Sequence, residues 1–352
     1  MTETLAHLSN NALISATFVY ALAMIAHMVE WAMARNLAAE QVVPRSALVA
    51  AAGVSAADER SAPVERSSTV MTGAGAAATP GTGTAGLRGS EPDDAAVERS
   101  DRFGRIGLSL TMLGVLVHAV GVVSRGLAAH RVPWGSMYEF SITGSLAAAV
   151  AYVFLVRRYD VRWLGLLVTG CLTTVLGLAV VVLYRPVGPL VPALHSYWLL
   201  IHVSAAATAG GAYTIGALAS VLYLLRSRLE LKAMADPALP RKGFLWRTPP
   251  AEAIDRLAYR VHAFAFPLWT FAVMAGAIWA QYAWGRYWGW DPKEVWAFIT
   301  WVVYAAYLHA RATAGWRGKA AAYVALLGFA TFLFNFVGIN LFGTGLHSYS
   351  GM

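Results

Sequence analysis

Residues 163–184 read WLGLLVTGCLTTVLGLAVVVLY, with no charged side chain in the stretch. An α-helix rises about 1.5 Å per residue, so roughly 20 apolar residues cross the ~30 Å hydrocarbon core of a bilayer. A helix apolar on every face is either the interior of a large protein or a membrane span. Working outward in both directions, seven further runs of the same kind occupy residues 12–34, 105–128, 138–156, 197–225, 259–282, 295–312 and 320–342. The expected fold class is therefore all-α, a polytopic integral membrane helical bundle with about eight transmembrane helices. The run 197–225 contains Gly210, Gly211 and Gly216 and is expected to be tilted or kinked.

The bulk composition agrees. Only 13% of the 352 residues are charged and 58% are hydrophobic, against about 25% charged in soluble proteins. The net charge of +8 does not point to nucleic acid, because the basic residues lie between apolar runs rather than on one compact basic surface. They read as topology signals. With the N-terminus outside, 22 of the 27 Lys and Arg fall on the inner side, leaving Arg125, Arg131, Arg185, Arg286 and Lys293 outside. Discounting the long first loop leaves 14 against five, and the orientation stands. Both termini are then external. Arg outnumbers Lys by 23 to four, which with the abundance of Ala and Gly suggests a GC-rich bacterial genome and hence a bacterial plasma membrane.

Glu3 and the absence of Lys or Arg before the first run argue for a retained first helix over 1–35 rather than a cleaved signal peptide. Residues 36–104 are expected to form a flexible cytoplasmic linker, since most of the segment is rich in Ala, Gly, Ser, Thr and Pro without any persistent period. Residues 105–352 form the remaining seven-helix domain. The single Cys171 excludes an internal disulfide and a CxxC motif, and reads as a small buried hydrophobe.

The chemistry concentrates in the outer loop 284–296, WGRYWGWDPKEVW. Six of the 13 tryptophans lie between Trp279 and Trp301. An interfacial aromatic belt accounts for Trp279, Trp296 and Trp301. It accounts poorly for Trp284, Trp288 and Trp290, which sit in a Gly-punctuated stretch that ends in Asp-Pro and suits a large, flat, apolar ligand. Asp291 is placed to cap the next helix ahead of Pro292.

Two histidines share the expected depth of this loop: His202, just over a turn into the fifth helix, and His347, just beyond the eighth. Two imidazoles beside an aromatic shelf can supply both axial ligands of a heme iron. His309 lies deeper, near the inner face. It is either a functional intramembrane group or a neutral histidine hydrogen-bonded within the bundle, with His262 at similar depth. His27 and His118 read as structural, and His7, His130 and His195 as loop or end residues.

WGRYWGWD (284–291) resembles the tryptophan-rich WWD signature of heme-handling proteins of cytochrome c maturation. The continuation DPKEVWAFITW (291–301) and YAAYLH (304–309) looks like the ResC/CcsA branch, called CcsB in some bacteria. The relatives CcmC and CcmF share the Trp-rich core but differ after the Asp. The resemblance covers the second to eighth helices. It implies a subunit of a cytochrome c synthase that binds heme b, works with a ResB-type membrane protein, and presents heme at the outer face for attachment to the CxxCH motif of apocytochrome c. It implies that His202 and His347 are the external heme ligands and His309 an intramembrane ligand, whose opposite number belongs to the ResB-type partner rather than to His262. Arg286 and Lys293 are candidate propionate partners. The segment Trp134-Gly135-Ser136-Met137-Tyr138-Glu139 is a further family element without an assigned role; Tyr138 and Glu139 match, while relatives often carry Asn at or beside Ser136. The insertion after the first helix departs from the simpler family pattern.

No nucleophile or acid–base pair stands out, so no catalytic residue is assigned and the chain is expected to contribute positioning and electronic tuning. A heme transporter or chaperone that forms no bonds shares every residue named above. A cytochrome b-type diheme protein would repeat His pairs across the same helices, and a purely structural subunit would not need this constellation.

Overall fold

The computed structural model describes residues 2–36, 94–189, 192–313 and 315–347, so most of the expected linker lies outside the described residues. Eight helices carry the fold: α1 (Thr2–Met33), α2 (Asp94–Ala129), α3 (Met137–Arg158), α4 (Gly165–Val181), α5 (Tyr197–Ala235), α6 (Ala251–Trp284), α7 (Pro292–Thr313) and α8 (Lys319–Leu333). A π turn, Phe334–Gly338, carries α8 on to a last helical turn, Ile339–Phe342. There is no β-strand among the described residues.

All of these except α7 are long and apolar enough to cross a membrane, α4 together with the turn before it (Arg162–Val181) and α8 together with its continuation (Lys319–Phe342). At 22 residues α7 is long enough, but Lys293, Glu294 and Arg311 in its terminal turns dilute its hydropathy. Phe18, Leu116, Phe154, Val181, Phe264 and Met274 are exposed on the outside of the bundle. In water that would be costly, and in lipid it is the expected arrangement. The protein is an all-α, multi-pass membrane bundle.

Packing explains the small residues. Helix α1 lies along α2 and α4, whereas α5 is the central post, packed against α3, α6 and α8. It runs unbroken for 39 residues, about 58 Å at 1.5 Å per residue, which exceeds a ~30 Å core. Its glycines are sites of close approach. A Cβ on Gly211 would lie 2.8 Å from the Ala148 backbone nitrogen in α3, and one on Gly216 would lie 2.6 Å from the His262 ring in α6.

Helix α2 starts at Asp94, ahead of the apolar run that begins at 105. Polar contacts hold the extra turns. Asp101 accepts from Arg162 at 2.9 Å and from Arg247 at 3.2 Å, and Ser100 donates to the Glu30 carbonyl at 3.2 Å. Residues 94–104, expected as linker, thus tie α2 to α1 and to the turns that precede α4 and α6. Nearby, His27 meets Glu30 at 2.9 Å, and His118 bonds the Ile142 carbonyl at 2.8 Å, both within the bundle interior.

Candidate functional site

At one end of the bundle, α3, α5, α6, α7 and α8 splay around a cavity. Its free space, open mouth included, is about 1170 Å³. Most of the wall is apolar: Trp134, Phe140, Trp269, Trp279, Trp288 and Phe336 are among its lining residues. His202 and His347 both line it.

Each histidine is held through Nδ1. The His202 Nδ1 lies 2.8 Å from the carbonyl oxygen of Ala272. A carbonyl only accepts, so Nδ1 carries the hydrogen and neutral His202 keeps its lone pair on Nε2. The His347 Nδ1 lies 2.8 Å from Asp291 Oδ1, and an ionised carboxylate imposes the same tautomer. Burial pushes the Asp291 carboxyl up, but the hydrogen bond and charge of His347, with the backbone N–H groups of Lys293 and Leu346, outweigh it and hold the group down at about 2. Trp279 underlies both imidazoles, with centroids 5.9 Å from His202 in near-parallel stacking and 5.6 Å from His347.

The loop between α6 and α7 keeps its shape through a reciprocal cap. Asp291 Oδ1 accepts from Lys293 N at 3.1 Å, while Glu294 Oε2 reaches back to Asp291 N at 3.1 Å and Gly289 N at 2.8 Å. This is a capping box, with Asp as the N-cap and Glu three residues on. Trp290 has a φ of 59°, a left-handed conformation that side chains rarely adopt, and the two Glu294 bonds on either side of it pin it there. Gly345 leaves space for the Asp291 carboxylate, which a Cβ there would strike.

The tryptophans expected to hold a ligand divide. Trp288 lines the cavity. Trp284 stands behind the wall, 4.8 Å from the His347 ring and 4.8 Å from Trp279. Trp290 is 69% exposed and meets Trp288 edge-on at 5.9 Å, outside the cavity. Arg286 is not a lining residue, and its guanidinium packs over Gly289. Lys293 does line the cavity, where its ammonium donates to Asn340. Trp279, expected in an interfacial aromatic belt, is instead 1% exposed and central; its Nε1 donates to the Ala193 carbonyl at 3.0 Å. Glu294, Tyr287 and Asn335 are wall residues that the sequence pattern did not single out, and Trp134, part of the family element without an assigned role, is another.

His309 does not join the cavity. It is exposed on α7. His262 is fully buried, with Tyr213, Tyr304 and Tyr307 as ring neighbours at 6.1, 5.3 and 5.4 Å.

Glu139 anchors another stretch of the wall. It is 1% exposed and binds Arg125 at 2.9 Å, Arg131 at 2.7 Å and Gly135 N at 2.7 Å. Ser136 caps α3 by accepting from Glu139 N at 3.2 Å. These bonds fix residues 134–137, all of which face the cavity.

The comparisons with known proteins fall on this same region. The family model described as Cytochrome C assembly protein matches residues 134–347, from the first wall segment to the last histidine. The chain belongs to that family. The cytochrome c biogenesis protein CcsA of Guillardia theta is 35% identical over 256 residues, covering 69% of this chain and 85% of the relative. CcsA of Synechococcus sp. (strain JA-2-3B'a(2-13)) is 33% identical over 298 residues, covering 70% of this chain and 83% of the relative. Among solved structures, the cytochrome c heme lyase CcmF superposes with a TM-score of 0.54 at 15% identity, over 97% of this chain and 50% of CcmF. This chain therefore spans about half the length of CcmF, and the likeness concerns the fold. For a member of the cytochrome c assembly family, the match places both the tryptophan loop and the Glu139-anchored segment inside the shared region.

Proposed function

We propose that this protein is the heme-handling subunit of a cytochrome c synthase, holding heme b in the cavity between His202 and His347 for attachment to the CxxCH motif of apocytochrome c. One observation carries the reading: two imidazoles on a single tryptophan-walled cavity, each with Nδ1 engaged so that Nε2 is the ligating nitrogen. The residues fit the cargo. Flat apolar walls suit the macrocycle, and Lys293 is a cation on the wall for an anionic propionate. Arg286, folded over Gly289, is the weaker candidate for that role.

Trp279 and Trp288 orient the ring plane, and Asp291 and the Ala272 carbonyl orient the two ligands. The two cysteine thiols of the apocytochrome then add to the heme vinyl groups while the CxxCH histidine replaces one protein ligand. A ResB-type membrane protein completes the synthase, with His309 facing outward towards it. The orientation that suits this chemistry puts the cavity at the outer face of the bacterial plasma membrane and both termini on that side.

The test is the absorption spectrum of the detergent-purified chain, alone and with a ResB-type partner, for wild type, His202→Ala and His347→Ala. A low-spin bis-histidine spectrum that either substitution converts or removes is the expected result. A chain that stays heme-free when heme is abundant, with and without the partner, overturns the reading.

A further inference from the structure

Glu294 is the only carboxylate among the described residues lining the cavity. Its two oxygens have different fates. Oε2 is committed to the loop, accepting from Gly289 N and Asp291 N. Oε1 is shut off from solvent and has no hydrogen-bond partner among the described residues, in a side chain belonging to a residue only 8% exposed. A buried carboxylate oxygen left without a partner is expensive, so its retention needs an occupant that meets it. The other titratable groups on this wall are His202, His347 and Lys293. Both histidines are turned by their Nδ1 bonds towards ligation, and Lys293 donates to Asn340. Glu294 is what remains for moving a proton.

We propose that Glu294 is the acid–base residue of heme attachment, its Oε1 accepting the proton of an apocytochrome cysteine thiol and passing it to the terminal carbon of the heme vinyl group. This rests on the heme-attachment reading above. The step balances without any further reagent. The S–H bond breaks, the vinyl π bond is consumed, sulfur bonds to the inner vinyl carbon and the proton to the outer one, and the carboxylate is regenerated. No electrons enter or leave. Positioned acid–base groups contribute roughly 100-fold to 10,000-fold to such steps.

Glu294→Gln separates this role from the structural one, because the amide oxygen can still accept from Gly289 N and Asp291 N while the proton acceptor is lost. The experiment uses the full chain co-purified with a ResB-type partner, heme b and an apocytochrome c bearing CxxCH. Two quantities are read: the spectrum of bound heme, and covalent heme on the cytochrome by heme staining of denaturing gels. The expected result is an unchanged heme spectrum in Glu294→Gln with covalent attachment slowed by about 100-fold or more. Attachment at the wild-type rate overturns the proposal and leaves the heme-attachment reading standing. Loss of bound heme in Glu294→Gln also overturns it, since Glu294 is then part of the holder. A wild-type complex that neither binds heme nor forms a thioether means that the heme-attachment reading itself has failed.

Discussion

The Nδ1 of His347 gives its hydrogen to a carboxylate, Asp291, whereas His202 gives the corresponding hydrogen to a neutral backbone carbonyl. The two imidazoles on one cavity are therefore not equivalent. A carboxylate partner makes an imidazole a stronger donor to a metal and fixes its orientation more firmly. If heme is held between them, His347 is the stronger ligand.

Substitution of Asp291 tests that asymmetry. Outer partners of metal-bound histidines typically carry about 10–100-fold in affinity. Asp291→Ala should weaken heme retention by that order, and Asp291→Asn should retain heme with a raised ferric/ferrous potential, because the negative charge behind His347 is gone. A potentiometric titration of each variant reads both effects. An unchanged potential in Asp291→Asn would mean that the carboxylate does not tune the iron.

The same carboxylate has a signature in the heme-free chain. Its folded value is about 2 against an ordinary 3.8. A depressed carboxyl stabilises the fold above its unfolded value, and that contribution is lost as pH falls through the folded one. The expected window is therefore between about pH 4 and pH 2. Thermal melts of wild type and Asp291→Asn should converge as the pH falls through it, and a difference between them that is constant across the window would contradict the assignment.

Gly276 gives a steric probe of the other ligand. A Cβ there would lie 2.7 Å from His202 Nδ1, the atom bonded to Ala272. Gly276→Ala should displace the imidazole and convert or abolish the bis-histidine spectrum while leaving the bundle folded; overpacking of this kind costs about 1–3 kcal/mol. Circular dichroism and the heme spectrum together decide it, and a wild-type spectrum in this variant would show that His202 is not a ligand in its present orientation.

Much of this was legible in the sequence, and the failures have physical causes. Apolar length located all eight helices, because a bilayer imposes one length scale on every span. The boundary of α2 is not legible in the sequence, because Ser100 and Asp101 look like linker residues until Arg162 and Arg247 arrive from elsewhere in the chain. His202 and His347 stood out as imidazoles at one depth, and they share a cavity. Composition could not tell Trp279 from Trp290. Spacing within a loop does not say which ring turns inward; the capping box does, by fixing Trp290 at positive φ with its indole in the open. Glu294 does not stand out in the sequence, because a carboxylate at the third helical position is ordinary in any helix start.

That reversal predicts a contrast. Trp279 is 1% exposed beneath both histidines, and Trp290 is 69% exposed. Trp279→Ala should cost about 3–5 kcal/mol, as buried Trp deletions do, and should remove heme binding. Trp290→Ala should leave both stability and the heme spectrum near wild type, with any effect confined to docking of a partner at the cavity mouth. Melting temperature and heme content of the two variants, measured side by side, separate them; equal effects would refute the division of the loop.

Glu139 offers the last test, on the wall far from the tryptophan loop in sequence. Its carboxylate is buried with two arginines, Arg125 at 2.9 Å and Arg131 at 2.7 Å, and with the backbone of Gly135. Removing one member of a buried ionic group leaves the others uncompensated and costs about 3–5 kcal/mol. In Glu139→Ala the buried Arg125 and the half-buried Arg131 lose their shared partner, and Gly135 loses its bond to the carboxylate. Arg131→Ala removes only the more exposed cation, leaving the Arg125–Glu139 pair intact, and should cost far less. If Glu139 works through residues 134–137, Glu139→Ala should lower heme content as well as melting temperature, whereas Arg131→Ala should keep heme content near wild type. A Glu139→Ala protein that melts early yet binds heme normally would confine this network to folding.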